Sequence, residues 1–280
     1  MVQFEFTRAK KKLGQHWLVD KNIINKIVDA AELSANDIVI EIGTGTGILT
    51  YFLAEKVKHV FSYDIDEEAQ SVARKNLKNF KNITFIHKDI LKEEKPFSDI
   101  TGKPKCKIVA NIPYQITTPI INIITKNNND ISSAVLLLQK ELGDRMIAKP
   151  RNKNYGRFTL FVQYHFMIKK IWKVSRNCFK PSPNVDSLVI KMTPHQKPPV
   201  HINNDFFFFN IIKAAFGNRR KFLLNALNNF TEFDFNKKIV TEVFYELKID
   251  KKIRGEELDL NTFAQISNIL FDRHNGPVAK

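Results

Sequence analysis

Residues 107–120 read KIVANIPYQITTPI. The apolar run 107–110 has the composition of a strand, and it stops at Asn111, Ile112, Pro113 and Tyr114. Asn111 brings a neutral amide, Pro113 a ring that fixes φ and stiffens the turn, and Tyr114 a flat aromatic face. The side-chain carbonyl of Asn111 and the backbone carbonyl of Ile112 are the natural hydrogen-bond acceptors at such a turn. Two neutral oxygens beside an aromatic ring suit the gripping of an amino group on a planar heterocycle.

A second cluster precedes it. The stretch VIEIGTGTG puts Glu41 near a strand end, followed by Gly43, Gly45 and Gly47. Glycines there let the backbone turn tightly and approach a ligand with no Cβ in the way. Alone, G-x-G-x-G fits a dinucleotide site equally. Asp64 closes the next strand, placed to accept hydrogen bonds from ribose hydroxyls, and Asp89 closes the one after, placed to accept from an adenine amine. The glycine spacing is less suited to seating a pyrophosphate than G-x-G-x-x-G. Polar residues end four successive strands (Glu41, Asp64, Asp89 and Asn111), a set that favours S-adenosylmethionine over NAD. Each Asp taken singly also fits a helix N-cap.

The two clusters together point to methyl transfer to an amine of a base. An exocyclic amine on adenine is a poor nucleophile because its lone pair is delocalised. Neutral acceptors can hold it in line with the methyl group and favour the developing positive charge, with no strong general base. Extruding a base from its stack costs a few kcal/mol, and each aromatic ring returns roughly 1–3 kcal/mol. Phe179, in NCFKPSPNVDS, is a candidate second ring, and an ordinary buried Phe among 23 is the alternative reading.

The surrounding pattern supplies the scaffold. Buried-strand runs at 37–43, 58–64, 82–89, 106–111, 133–139 and 185–192 alternate with helical runs near 20–31, 47–56, 66–80 and 115–126. This predicts an α/β fold, a mostly parallel sheet covered on both faces. The Pro-rich, polar segment 193–204 reads as a linker, and helical periodicity follows it. The expected division is a sheet domain over 1–195, opened by a basic lead-in at 1–19, and a small all-helical domain over 196–280. Phe206 to Phe209 reads as a helix packed on two sides.

Net charge is +15 over 280 residues, and its placement is uneven. Residues 140–191 hold 12 Lys and Arg against 3 Asp and Glu, and residues 1–26 hold 6 against 2. Basic charge gathered in two stretches suits a polyanion such as nucleic acid. No run approaches the ~20 apolar residues of a membrane span. Cys106 and Cys178 lack metal or disulfide spacing, so reduced thiols in a cytoplasmic protein are expected, with no metal.

In its motifs the chain resembles the KsgA-type small-subunit rRNA adenine N6,N6-dimethyltransferases, of the Rossmann-like class I methyltransferases. The segments that carry the likeness are GQHWLVDKNII, EIGTGTG, YDID, KDIL, NIPYQITTPI, LQKELGDRM, YGRFTLFVQY, FKPSPNVDSLVI, AFGNRRKFLLNAL and LDLNTFAQISN, in order over almost the whole length. The resemblance implies S-adenosylmethionine contacts at His16, Leu18, Gly43, Asp64, Asp89 and Asn111, with Gly45 in the same turn. It implies target-adenine contacts at Asn111, Ile112, Pro113, Tyr114 and Phe179, and phosphate contacts at Arg219, Arg220 and Lys221. It further implies dimethylation of two adjacent adenines in the 3′-terminal hairpin of small-subunit rRNA, late in subunit assembly, by a monomer. His16-Trp17 stands where the family usually has Asn-Phe, Thr44 where it often has Pro, and Asp64 where it usually has Glu. An Erm-type large-subunit rRNA methyltransferase and an assembly factor acting mainly by binding are the alternatives.

Overall fold

The computed structural model describes residues 4–101, 105–232, 235 and 237–275. The chain forms two compact units, one of 1–143 with 166–194, the other of 144–165 with 195–280. The division expected at 195/196 leaves 144–165 with the sheet, whereas the contacts group that segment with the helices.

The first unit is built on a seven-stranded sheet. Its strands are β2 (Ile38–Ile42), β3 (His59–Asp64), β4 (Ile83–His87), β5 (Cys106–Asn111), β6 (Ile131–Gln139), β7 (Phe166–Val174) and β9 (Ser187–Pro194). A separate two-stranded ribbon pairs β1 (Trp17–Leu18) with β8 (Phe179–Lys180). The sheet order is β4-β3-β2-β5-β6-β9-β7. The first five strands run parallel, and β9 pairs antiparallel with both β6 and β7. This is the α/β, mostly parallel sheet that the alternation of runs predicts.

The central strands read as continuous apolar runs because both faces are covered. Val39, Ile40, Ile108, Val109 and residues 134–138 of β6 are fully buried. On one face, helix Lys21–Ala30 packs Ile24, Ile27 and Val28 with Val39, Val109 and Val135. Its start is fixed by Asp20, whose carboxylate accepts from the Asn22 and Ile23 N–H groups.

The second unit packs helices Arg157–His165, Asp205–Gly217, Leu223–Asn228, Lys237–Glu246 and Leu260–Asn275 around Tyr155, Phe208, Phe244 and Phe263. Phe207 and Phe208 are buried and Phe209 packs against them, while Phe206 is 70% exposed. The Tyr155 hydroxyl donates to the Leu258 carbonyl at 2.8 Å, joining segments far apart in sequence.

Candidate active site

The sheet order turns back between β2 and β5, since β3 and β4 add on one side and β6 on the other. A crevice opens at such a reversal, outside the carboxyl ends of the strands. Gly43 follows β2 and Asn111 ends β5, so both stand at this crevice. Gly43 has φ +90°, and a Cβ there would lie 3.3 Å from the Asn111 carbonyl oxygen. Only glycine accepts that backbone without moving the turn beside it.

The crevice holds a cavity of about 240 Å³. His16, Leu18, Gly43, Gly45, Asp64, Asp89, Asn111, Ile112, Pro113, Tyr114 and Phe179 all line it. Residues from four strand ends and from the distant FKPSPNVDS segment therefore meet in one place. Trp17, Ile65 and Gln115 also line the cavity, although their sequence pattern does not mark them. The positive φ of Gly45 accompanies the Trp17 placement: a Cβ at Gly45 would meet the indole ring at 2.8 Å.

Glu41 belongs elsewhere. Expected among the ligand-facing strand ends, it is wholly buried and does not line the cavity. Its Oε2 accepts from the Thr50 and Ser62 hydroxyls at 2.6 Å each, while Oε1 has no hydrogen-bond partner among the described residues. Burial pushes its carboxyl up to about 8, so the neutral acid buttresses the turn from below.

Asp64 faces the cavity with both oxygens anchored. Oδ2 accepts from the Gly45 N–H and Oδ1 from the Asp66 N–H, each at 2.8 Å. Each oxygen keeps a lone pair for a further donor, which is the capacity a ribose diol needs. Burial pushes the carboxyl above its ordinary value, and the backbone donors at Asp66 and Gly45 only partly offset this. The basic lead-in is tied to the same corner: Lys10 Nζ and Gln15 Nε2 donate to Asp66 at 2.6 and 2.7 Å. Asp89 lies two residues beyond β4, and its Oδ1 accepts from the Leu91 N–H at 3.0 Å, leaving Oδ2 free of partners among the described residues.

The turn after β5 presents its acceptors as its composition suggests. Asn111 Nδ2 donates to the His16 carbonyl at 3.4 Å, which leaves Oδ1 without a partner among the described residues. The Ile112 N–H is bound to the Leu137 carbonyl at 3.2 Å, and no described donor reaches the Ile112 carbonyl. Tyr114 is fixed at its far end, its hydroxyl 2.7 Å from that of Ser187 on β9. Burial pushes the phenol above its ordinary value, so it stays protonated at neutral pH.

His16 enters this arrangement in an unexpected way. Its ring stacks on Tyr114 with centroids 5.8 Å apart and planes at 26°. Its Nδ1–H donates to the Pro181 carbonyl at 2.7 Å. Tyr114 and Phe179 share the cavity wall but form no ring–ring contact among the described residues. Phe179 is at once a lining residue and a core residue, 3% exposed and packed with Leu18.

The three basic residues of the second unit divide. Arg219 donates to both Glu256 and the Lys153 carbonyl, so its guanidinium is engaged internally. Arg220 and Lys221 are exposed and form no ion pair among the described residues.

The chain matches the sequence model of the ribosomal RNA adenine dimethylase family over residues 6–272. The chain belongs to that family. A protein of Bacillus pumilus named ribosomal RNA small subunit methyltransferase A is 42% identical over 271 residues, 93% of this chain and 91% of its own. The crystal structure of a dimethyladenosine transferase from Plasmodium falciparum superposes with TM-score 0.75 at 30% identity, covering 90% of this chain and 96% of that one. The 23S rRNA methyltransferase ErmE superposes with TM-score 0.72 at 24% identity, covering 91% of this chain and 99% of its own, and shares the fold. The parallel sheet of this dimethylase-family member is thus a class I methyltransferase sheet.

The pocket suits the cofactor that such enzymes use. The glycine turn admits no Cβ at Gly45, Asp64 offers two anchored acceptors, and the lining is apolar at Leu18 and Phe179. Among the described residues no group of three or more His, Cys, Asp or Glu could hold a metal ion. No described helix is long and apolar enough to cross a membrane.

Proposed function

We propose that this chain uses S-adenosylmethionine to dimethylate N6 of two adjacent adenines in the 3′-terminal hairpin of small-subunit rRNA. The observation that carries the reading is the pairing of two unengaged neutral acceptors, Asn111 Oδ1 and the Ile112 carbonyl, with the glycine turn and Asp64 in one cavity. When bound, the cofactor supplies an electrophilic methyl group on a sulfonium. Gly43, Gly45, Asp64 and Asp89 would hold its nucleoside, with Leu18 supplying apolar contact. His16 contributes through its carbonyl, which orients Asn111, and through the ring that backs Tyr114.

The reaction asks little of these side chains beyond position. Asn111 Oδ1 and the Ile112 carbonyl accept from the adenine amine and favour the positive charge that grows on nitrogen. Pro113 stiffens the turn, and Tyr114 supports the extruded base, with Phe179 lining the same cavity. The proton becomes acidic once the methyl group is on and leaves to solvent. The helical unit contacts rRNA phosphates through Arg220 and Lys221, and the protein works as a cytoplasmic monomer on an assembling small subunit. The relative named for the small subunit, at 42% identity, favours this target over the large-subunit rRNA of ErmE.

The test is incubation with labelled cofactor and undermethylated small subunits, followed by mapping of the modified nucleotides. Two adjacent N6,N6-dimethyladenines near the 3′ end are expected. Label on large-subunit rRNA, or none, would overturn the reading.

A further inference from the structure

A second cavity, of about 650 Å³, shares Trp17 and Ile48 with the first. The partition between them is the β1–β8 ribbon, in which Trp17 pairs with Lys180 and Leu18 with Phe179. Successive side chains of a strand leave on opposite faces. Leu18 and Phe179 therefore line the first cavity, while Lys180 lines the second.

Its wall is aromatic and its edge is basic. Phe6, 48% exposed, and Trp17 both line it. Lys21 and Lys180, both exposed and both lining, form no ion pair among the described residues. The Thr7 hydroxyl is buried and has no hydrogen-bond partner among the described residues. The segment that carries Phe6 is held in place: Glu5 and Asn76 exchange two hydrogen bonds of 3.0 Å, and Trp17 Nε1–H donates to the Thr7 carbonyl at 3.2 Å.

Resting on the proposed methyltransfer to an extruded adenine, we propose that this second cavity seats the neighbouring nucleotide, its base on Phe6 and its phosphate against Lys21 and Lys180. When one base leaves a strand its neighbour loses a stacking partner, and an adjacent aromatic face replaces it. Two unpaired ammonium groups complement the phosphates that flank such a base. A lipid chain or an apolar peptide would leave the ammonium groups unmatched.

The test uses hairpin RNAs that carry either a normal residue or an abasic one immediately 5′ or 3′ of the target adenine. Dissociation constants are measured for the wild-type protein and for Phe6→Ala and Phe6→Tyr, with cofactor affinity measured alongside. Wild-type protein should bind one of the two abasic RNAs about tenfold more weakly than intact RNA. Phe6→Ala should lose about tenfold on intact RNA and nothing further on that abasic RNA. Phe6→Tyr should bind as wild type, and cofactor affinity should be unchanged throughout. Equal losses for Phe6→Ala on every RNA, or indifference of the wild-type protein to both abasic residues, would overturn the proposal and assign the cavity to an apolar occupant. If wild-type protein transfers no methyl group to intact RNA, the methyltransfer reading falls, and this inference with it.

Discussion

The hydroxyls of Tyr114 and Ser187 meet at 2.7 Å. Tyr114 belongs to the turn after β5, and Ser187 opens β9 immediately after the segment that carries Phe179. Asp186, next to Ser187, accepts from the Arg176 N–H at 3.1 Å and pairs with Lys173 at 2.9 Å. The turn after β5 and the loop that carries Phe179 are thus braced against each other.

Removing the brace should slow chemistry more than it weakens binding. Ser187→Ala and Tyr114→Phe should each lower single-turnover methyl transfer about five- to tenfold, the worth of roughly one hydrogen bond. The double variant should lose little more, because both changes cut the same bond. Cofactor affinity should hold in all three. A parallel loss of cofactor affinity would place the Tyr114 ring against the cofactor instead of the base.

Glu41 gives the fold a pH dependence of defined sign. Its carboxyl rises from an ordinary 4.5 to about 8 through burial, so between those values the folded chain holds a proton that the unfolded chain has released. Stability therefore falls as pH rises through that window: the contribution is whole below about pH 4.5 and lost above about pH 8. Glu41→Gln removes this titration. Its stability relative to wild type should grow by about 1.4 kcal/mol per pH unit between about pH 5 and pH 8, measured by chemical denaturation. A difference that stays flat with pH would contradict a neutral, buried Glu41.

The glycine turn should not tolerate a methyl group at Gly45. There φ is +53° and a Cβ would sit 2.8 Å from the Trp17 ring. Gly45→Ala should cost about 1 kcal/mol or more of stability from the backbone alone. It should also weaken cofactor binding, because the displaced indole lines the same cavity. Isothermal titration with the cofactor checks the second effect, and Gly45→Ala with Trp17→Leu should recover part of the loss.

Most of the sheet was legible, because central strands covered on both faces appear as apolar runs bounded by polar residues. β7 was not: FMIKKIWKV alternates poorly, and its edge position leaves Lys169, Lys170 and Trp172 outside the apolar pattern. The acceptor turn, Asp64 and Asp89 could be named because each ends or follows a strand, and strand ends share one rim of a parallel sheet. The depth of Glu41 could not, since it depends on Thr50 and Ser62 supplying hydroxyls from two other elements. Nor could the stacking of His16 on Tyr114, which is set by a hydrogen bond spanning 165 positions to Pro181.

Arg219 shows the same limit. Its sequence neighbours suggest three phosphate ligands in a row, yet Glu256, 37 positions away, pairs with it. Arg220→Ala and Lys221→Ala should each reduce the slope of log affinity for RNA against log salt by about 0.9 or slightly less. Arg219→Ala should instead lower the unfolding midpoint of the helical unit. An Arg219→Ala protein of unchanged stability and reduced slope would return that residue to the RNA.

Asn111 offers the most direct test. The Asn111→Ala variant keeps the backbone of the turn and removes one of the two neutral acceptors. Single-turnover methyl transfer should fall about a hundredfold or more while RNA affinity and the melting midpoint stay near wild type. A rate within about threefold of wild type would contradict the claim that the turn after β5 grips the amine.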